Sequence, residues 1–138
     1  MRVSVSLFCG LVLFTTGCGQ SDQLPVHPAR GQVLLEGKPI PHAIVVFHPV
    51  KAPEKSQPQP RALVQDDGTF VLETYGTKDG APEGEYAVTI EWWLSEKRSD
   101  DAPPSNRLPA RYARAETSGL RARIEAGENQ IPTIRLSR

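Results

Sequence analysis

From Glu85 to Trp92 the chain alternates strictly: Tyr86, Val88, Ile90 and Trp92 stand between Glu85, Ala87, Thr89 and Glu91. Successive side chains of an extended strand point to opposite faces, so this run predicts a strand with one apolar face and one mostly polar face. Burying the four large side chains offers on the order of 6–10 kcal/mol before chain entropy is subtracted. No segment with a helical period competes with it, so a core built from sheets is the solution this chain is written for.

The remainder repeats the design in shorter pieces, punctuated by Gly, Pro and Asp, which is the pattern of an all-β sandwich. Seven strands are predicted, at Gly31–Glu36, Ala43–His48, Arg61–Gln65, Thr69–Thr74, Glu85–Trp92, Leu120–Glu125 and Gln130–Leu136. Glu36-Gly37-Lys38-Pro39, Asp66-Asp67-Gly68 and Gly127-Glu128-Asn129 read as turns, the second as a strong hairpin signal. The run Ile44-Val45-Val46-Phe47 suggests burial on both faces. Pro132 suits a strand end or an edge, because proline cannot donate to a ladder. Val50 to Pro60, with three prolines among polar residues, is an exposed loop. Ser95 to Ser118 is charged and without strand pattern, and an uninterrupted loop of that length usually marks function or disorder.

The N-terminus has the three parts of an export signal: Arg2, the apolar stretch Val3 to Phe14, and small residues at the cut site. The stretch is too short to span a bilayer, which takes ~20 apolar residues. The run that follows, Thr16-Gly17-Cys18-Gly19-Gln20, resembles the lipidation site of bacterial lipoproteins. The resemblance implies a signal peptide over residues 1–17, a diacylglycerol thioether (with palmitate-type acylation) on Cys18, a lipidated tether over 18–29 and a folded domain over 30–138. It further implies attachment to a membrane of the cell envelope, facing the periplasm. Gly19 in place of Asp favours the outer membrane. The alternative is an ordinary secretory signal cut nearby, with Cys18 left as a free thiol. In either case Cys9 leaves with the signal, so one mature chain has no partner for a disulfide and the core alone must hold the fold.

Roughly 120 residues then remain, enough for one ordinary core and too few for two domains. The formal charge is zero, though acidic residues outnumber basic ones up to Leu94 and the reverse holds after it. The asymmetry is too mild and too mixed with Glu to suggest a nucleic-acid partner; a solvated strand face accounts for most of it.

Chemistry-bearing constellations are sparse. His27, His42 and His48 lack the spacing of a zinc site, and Asp66, Asp67, Asp79 and Glu83 lack the dense alternation of a calcium loop, so turn formation is the favoured role of the carboxylates and no metal or other cofactor is expected. There is no Gly-x-Ser-x-Gly elbow and no mature thiol besides Cys18, so no catalytic residue is assigned. The binding candidate is Trp93, which alternation turns away from the face that carries Trp92. Such an indole, beside a long charged loop, can stack on a sugar or a partner's side chain, with Arg98, Arg107 and Arg111 supplying polar contacts; simple packing beneath that loop is the competing role.

Several stretches together resemble a known family: Gly31-Gln32-Val33 to Gly37-Lys38-Pro39-Ile40-Pro41-His42-Ala43, Asp66-Asp67-Gly68-Thr69-Phe70, Asp79-Gly80-Ala81-Pro82-Glu83-Gly84-Glu85-Tyr86, and Thr117-Ser118-Gly119-Leu120 with Gly127-Glu128-Asn129. In this order they are similar to the small bacterial lipoproteins that carry a carboxypeptidase-regulatory-like domain. The resemblance implies a seven-stranded Greek-key β-sandwich of the prealbumin, or transthyretin-like, type. It also implies a non-enzymatic structural or interaction role. Besides the membrane, the partner expected for such a chain is an envelope protein or a polysaccharide. Transthyretin-related hydrolases carry a C-terminal Tyr-Arg-Gly-Ser that this chain, ending Ile134-Arg135-Leu136-Ser137-Arg138, lacks. Adhesin sandwiches with a Lys–Asn isopeptide bond place Glu four residues after the strand tyrosine, where this chain has Ile90.

Overall fold

The computed structural model describes residues 22–51, 57–93 and 104–138. In chain order they form β1 (Val26–His27), β2 (Ala29–Leu35), β3 (Lys38–Pro39), β4 (Ile44–Pro49), β5 (Arg61–Leu63), β6 (Thr69–Val71), β7 (Ala81–Pro82), β8 (Gly84–Glu91), a 3-10 turn at Ala110–Ala113, β9 (Leu120–Ile124), β10 (Asn129–Gln130) and β11 (Ile134–Leu136). One sheet has the order β5-β4-β8-β9 with every pair antiparallel. The other is built around β2, which pairs antiparallel with β6 and then β3, and parallel with β10 and then β11. A two-stranded ribbon joins β1 to β7. The fold is all-β with several sheets, an arrangement compatible with a β-sandwich.

The core lies between the two larger sheets. Val33 and Leu35 of β2, Phe70 of β6 and Ile134 and Leu136 of β11 meet Val45 and Phe47 of β4, Ala62 of β5, Tyr86, Val88 and Ile90 of β8 and Ile124 of β9. Phe47 sits at its centre, with ring centroids 6.5 Å from Phe70 across the sheets and 5.6 Å from Tyr86 on the neighbouring strand. The Tyr86 hydroxyl is buried and donates to the Pro82 carbonyl at 2.7 Å, so the strand that begins at Gly84 is pinned to the β7 corner by its own first core residue. At the expected hairpin, Gln65 N–H donates to the Thr69 carbonyl and Arg61 exchanges two backbone hydrogen bonds with Glu73. That turn is the corner at which the chain passes from the β4 sheet to the β2 sheet.

Gly80 fixes the entry of the chain. A Cβ there would lie 1.9 Å from the His27 carbonyl oxygen, so β1 can lie against β7 only because this residue has no side chain. Its φ of +99° is also one that L side chains avoid.

The seven expected runs fall on β2, β4, β5, β6, β8, β9 and the pair β10–β11, while β1, β3 and β7 are short additional pairings. Five local expectations change. First, the stretch read as tether is strand from Val26, and Ala29 is buried; backbone pairing with β7 needs no apolar period and leaves no mark in composition. Second, Ala87 and Thr89 of β8 are buried on the face expected to be polar. Ala87 stands in register between His48 and Arg121, and Thr89 bonds His48, so small side chains of a central strand are covered by longer neighbours. Third, Ile44 is 42% exposed and Val46 half-buried, because among the described residues no second layer lies over the outward face of this sheet there. Fourth, Gln130 pairs with Arg30 while Ile134 pairs with Val33, which leaves one extra residue on the outer strand. That bulge holds Pro132, which has no N–H to offer. Fifth, the described part of the loop after residue 94 is not featureless: Leu108 and Tyr112 are buried in the core, the latter from the 3-10 turn.

Candidate functional site

The end of β8 carries the candidate site, and the two tryptophans divide as alternation requires. Trp92 packs against the core, and its indole N–H donates to the Pro41 carbonyl at 2.9 Å. Trp93 faces outward and is 41% exposed. Its indole N–H donates to Glu91 Oε2 at 2.7 Å, one pleat back on the same face.

The edge beside them is completed by residues that sequence reasoning left in the loop. Asn106 bridges to Trp93, and its Oδ1 accepts from Trp92 N–H at 2.9 Å and Leu108 N–H at 3.1 Å. Arg107 N–H donates to the Trp92 carbonyl at 2.9 Å, and its guanidinium lies 5.9 Å from the Trp92 ring centroid. Arg107 is therefore placed against Trp92 rather than Trp93. Arg111 is on the C-terminal strand side: it donates to the Ser137 carbonyl at 2.7 Å and lies over the Tyr112 ring at 4.7 Å. Arg98 and Cys18 lie outside the described residues.

Two further apolar side chains share the outward face with Trp93. Ile44 is opposite Leu63 on one side and opposite Glu91 on the other, and Leu63 is 59% exposed. The row Leu63, Ile44, Glu91, with Trp93 one pleat on, is an exposed strip with a carboxylate in it. Leu63 was legible as a strand residue, but its exposure depends on what covers the sheet, for which a single sequence carries no signal.

The polar residues noted in the sequence are engaged in holding turns. Asp79 accepts the N–H groups of Thr74, Tyr75 and Gly76 at 2.7, 3.0 and 2.8 Å. Partial burial acts to raise the pKa of its carboxyl, but these three hydrogen bonds outweigh it and hold the group below the usual carboxylate value. Asp67 accepts both the hydroxyl and the N–H of Thr69, which lower its pKa in the same way. Asn129 closes the 125–129 turn, accepting from Glu125 N–H and donating to the Glu125 and Gly127 carbonyls. His27 accepts from Gly127 N–H through Nδ1, His48 Nε2 lies 2.8 Å from Thr89 Oγ1, and His42 Nε2 lies 3.9 Å from Asp66. Among the described residues no group of three or more His, Cys, Asp or Glu side chains is arranged to hold a metal ion.

Two phenols depart from their ordinary pKa in opposite directions. Burial, with a smaller push from the Tyr75 phenol, raises Tyr86 to about 12. Burial also acts upward on Tyr112, but its hydrogen bonds with Ser137 and Arg111, and the Arg111 charge, prevail and lower it. No family model, no curated protein and no solved structure matches the chain.

Proposed function

We propose that this chain is a lipid-anchored, non-enzymatic module of the cell envelope, tethered through Cys18 and facing the periplasm, with a seven-stranded Greek-key sandwich of the transthyretin-like, carboxypeptidase-regulatory-like type as its body. The observation that carries the reading is the employment of the polar side chains. Asp67, Asp79, Asn106 and Asn129 each hold two or more backbone or neighbouring groups, which is the work of a scaffold with fixed loops. The apolar start and the Thr16–Gln20 run support the anchor. Expression with labelled palmitate tests it: label is expected on the wild-type protein and none on Cys18→Ala, and label that persists in the variant refutes the anchor.

A second reading is favoured by the exposed strip at Trp93. It makes this end of the β8 sheet a recognition surface for a glycan or a peptide of an envelope partner, with the indole as the stacking platform. A glycan array read with wild type and Trp93→Ala decides it. Binding lost in the variant is expected, and equal binding by both rejects the reading.

A further inference from the structure

The end of the molecule at which the chain enters the fold carries an exposed apolar pair. Leu24 is 38% exposed and Tyr75 39% exposed, and the Leu24 N–H donates to the Tyr75 hydroxyl at 3.0 Å. Tyr75 belongs to the turn that Asp79 holds by three hydrogen bonds, so its place is set by the turn and its ring is left available. Lys78 is exposed in the same turn. Two residues after Leu24 the chain enters β1, which lies on β7 just before the start of β8. Trp93 is at the far end of β8, and eight strand residues rise about 27 Å.

We infer that Leu24, Tyr75 and Lys78 form the surface on which the domain rests against the lipid bilayer, an inference that depends on the reading of Cys18 as the lipidated residue. Cys18 to Leu24 is a step of six residues, which spans at most about 22 Å when fully extended. That is shorter than β8. A domain turned over, with Trp93 on the bilayer, would need a longer tether than the chain has.

The chemistry of the three side chains selects the orientation among those the tether permits. A tyrosine presents an apolar body with a polar tip, the form suited to the headgroup level. Leucine buries a wholly apolar side chain beside it, and a lysine ammonium meets lipid phosphate. One leucine and one tyrosine would not hold a free protein on a membrane. An anchor six residues away converts their contact into an intramolecular one, at an effective concentration in the range of ~mM. The strip of Leu63, Ile44 and Trp93 is then held away from the bilayer, where it faces the periplasmic space.

The test uses the lipidated chain in vesicles of phosphatidylethanolamine and phosphatidylglycerol. Cys9 leaves with the signal and Cys18 is acylated, so an introduced cysteine is the one free thiol of the mature chain. Gly76→Cys is suited to the Tyr75 turn, because an added Cβ there has no neighbour closer than Asp79 Oδ2 at 3.8 Å. Lys38→Cys, exposed in β3, reports the opposite end. With a nitroxide on each, the ratio of collisions with oxygen to collisions with a water-soluble nickel chelate is expected to be several-fold higher at position 76 than at position 38. Leu24→Ser should bring the two together without releasing the protein. Brominated lipid is expected to leave the fluorescence of Trp92 and Trp93, the only two tryptophans, unquenched. Equal ratios at 76 and 38 in protein that floats with the vesicles, or quenching by brominated lipid, overturn the inference and leave the anchor standing. Failure to float overturns the anchor, and this inference with it.

Discussion

Replacing Gly80 by Ala separates two costs that usually come together. Gly80 and Gly127 have nearly the same φ, +99° and +96°, so an alanine at either position carries the same left-handed penalty of ~1–2 kcal/mol. Around Gly127 an added Cβ meets nothing within 4 Å, whereas at Gly80 it falls 1.9 Å from the His27 carbonyl oxygen and 2.4 Å from its carbon. That oxygen must retreat by more than 1 Å to reach ordinary contact. β1 has only two residues paired to β7, so it will separate rather than bend. Loss of that ribbon removes roughly two backbone hydrogen bonds at ~1 kcal/mol each and part of the burial of Val26. Gly127→Ala is therefore expected to destabilise by about 1–2 kcal/mol and Gly80→Ala by about 3–5 kcal/mol. In a domain of this size the larger figure lowers Tm by roughly 10–20 °C. Urea titration followed by tryptophan fluorescence measures both. A difference of less than about 1 kcal/mol between the two variants refutes the idea that β1 is held by close backbone contact at Gly80.

The remaining expectations concern titration and the β8 edge. Asp79 has a lowered folded pKa, so the stability it contributes is present above its unfolded value near 4 and lost as pH falls through the folded one. Asp79→Ala should cost about 1–2 kcal/mol at neutral pH and flatten the acid limb of a stability–pH curve; an unchanged acid limb counts against the assignment. Tyr86, raised to about 12, contributes stability that is complete below pH ~10 and lost as pH rises through the folded value, by roughly 2–3 kcal/mol in all. Tyr86→Phe should remove that alkaline loss while costing about 1–2 kcal/mol at neutral pH through the missing bond to Pro82, both read by denaturant titration at several pH values. Asn106→Ala frees the N–H groups of Trp92 and Leu108, so red-shifted tryptophan emission and faster amide exchange at Trp92 are expected, and native spectra would show that Asn106 does not hold this edge.

The fold was legible where period and burial coincide, and illegible where a neighbour decides. Tyr86, Val88 and Ile90 are buried because a period of two put them on one face. Ala87 and Thr89 are buried for a reason no period can express: His48 and Arg121 stand in register beside Ala87, and the His48 ring reaches the Thr89 hydroxyl at 2.8 Å. Leu108 and Tyr112, four residues apart in a stretch of charges and prolines, give no pattern at all, yet they reach the core because β9 pairs only with the first part of β8 and the exposed remainder needs an edge. At the candidate site, alternation alone separated Trp92 from Trp93. It could not assign Arg107, whose position follows from the backbone bond to the Trp92 carbonyl.

That bond explains why the β8 edge is both closed and available. A strand that outruns its partner leaves unpaired N–H and C=O groups, a template for association with other chains. Here Asn106 and Arg107 satisfy the Trp92 backbone from the side, so among the described residues the edge is capped by hydrogen bonding and its face is left uncovered. Trp93 is therefore left exposed by the same device that prevents edge pairing, and Glu91 orients its indole. A surface fixed in this way keeps its shape without a ligand, so whatever binds there would meet a preformed strip, and little of the binding free energy would be lost to ordering it.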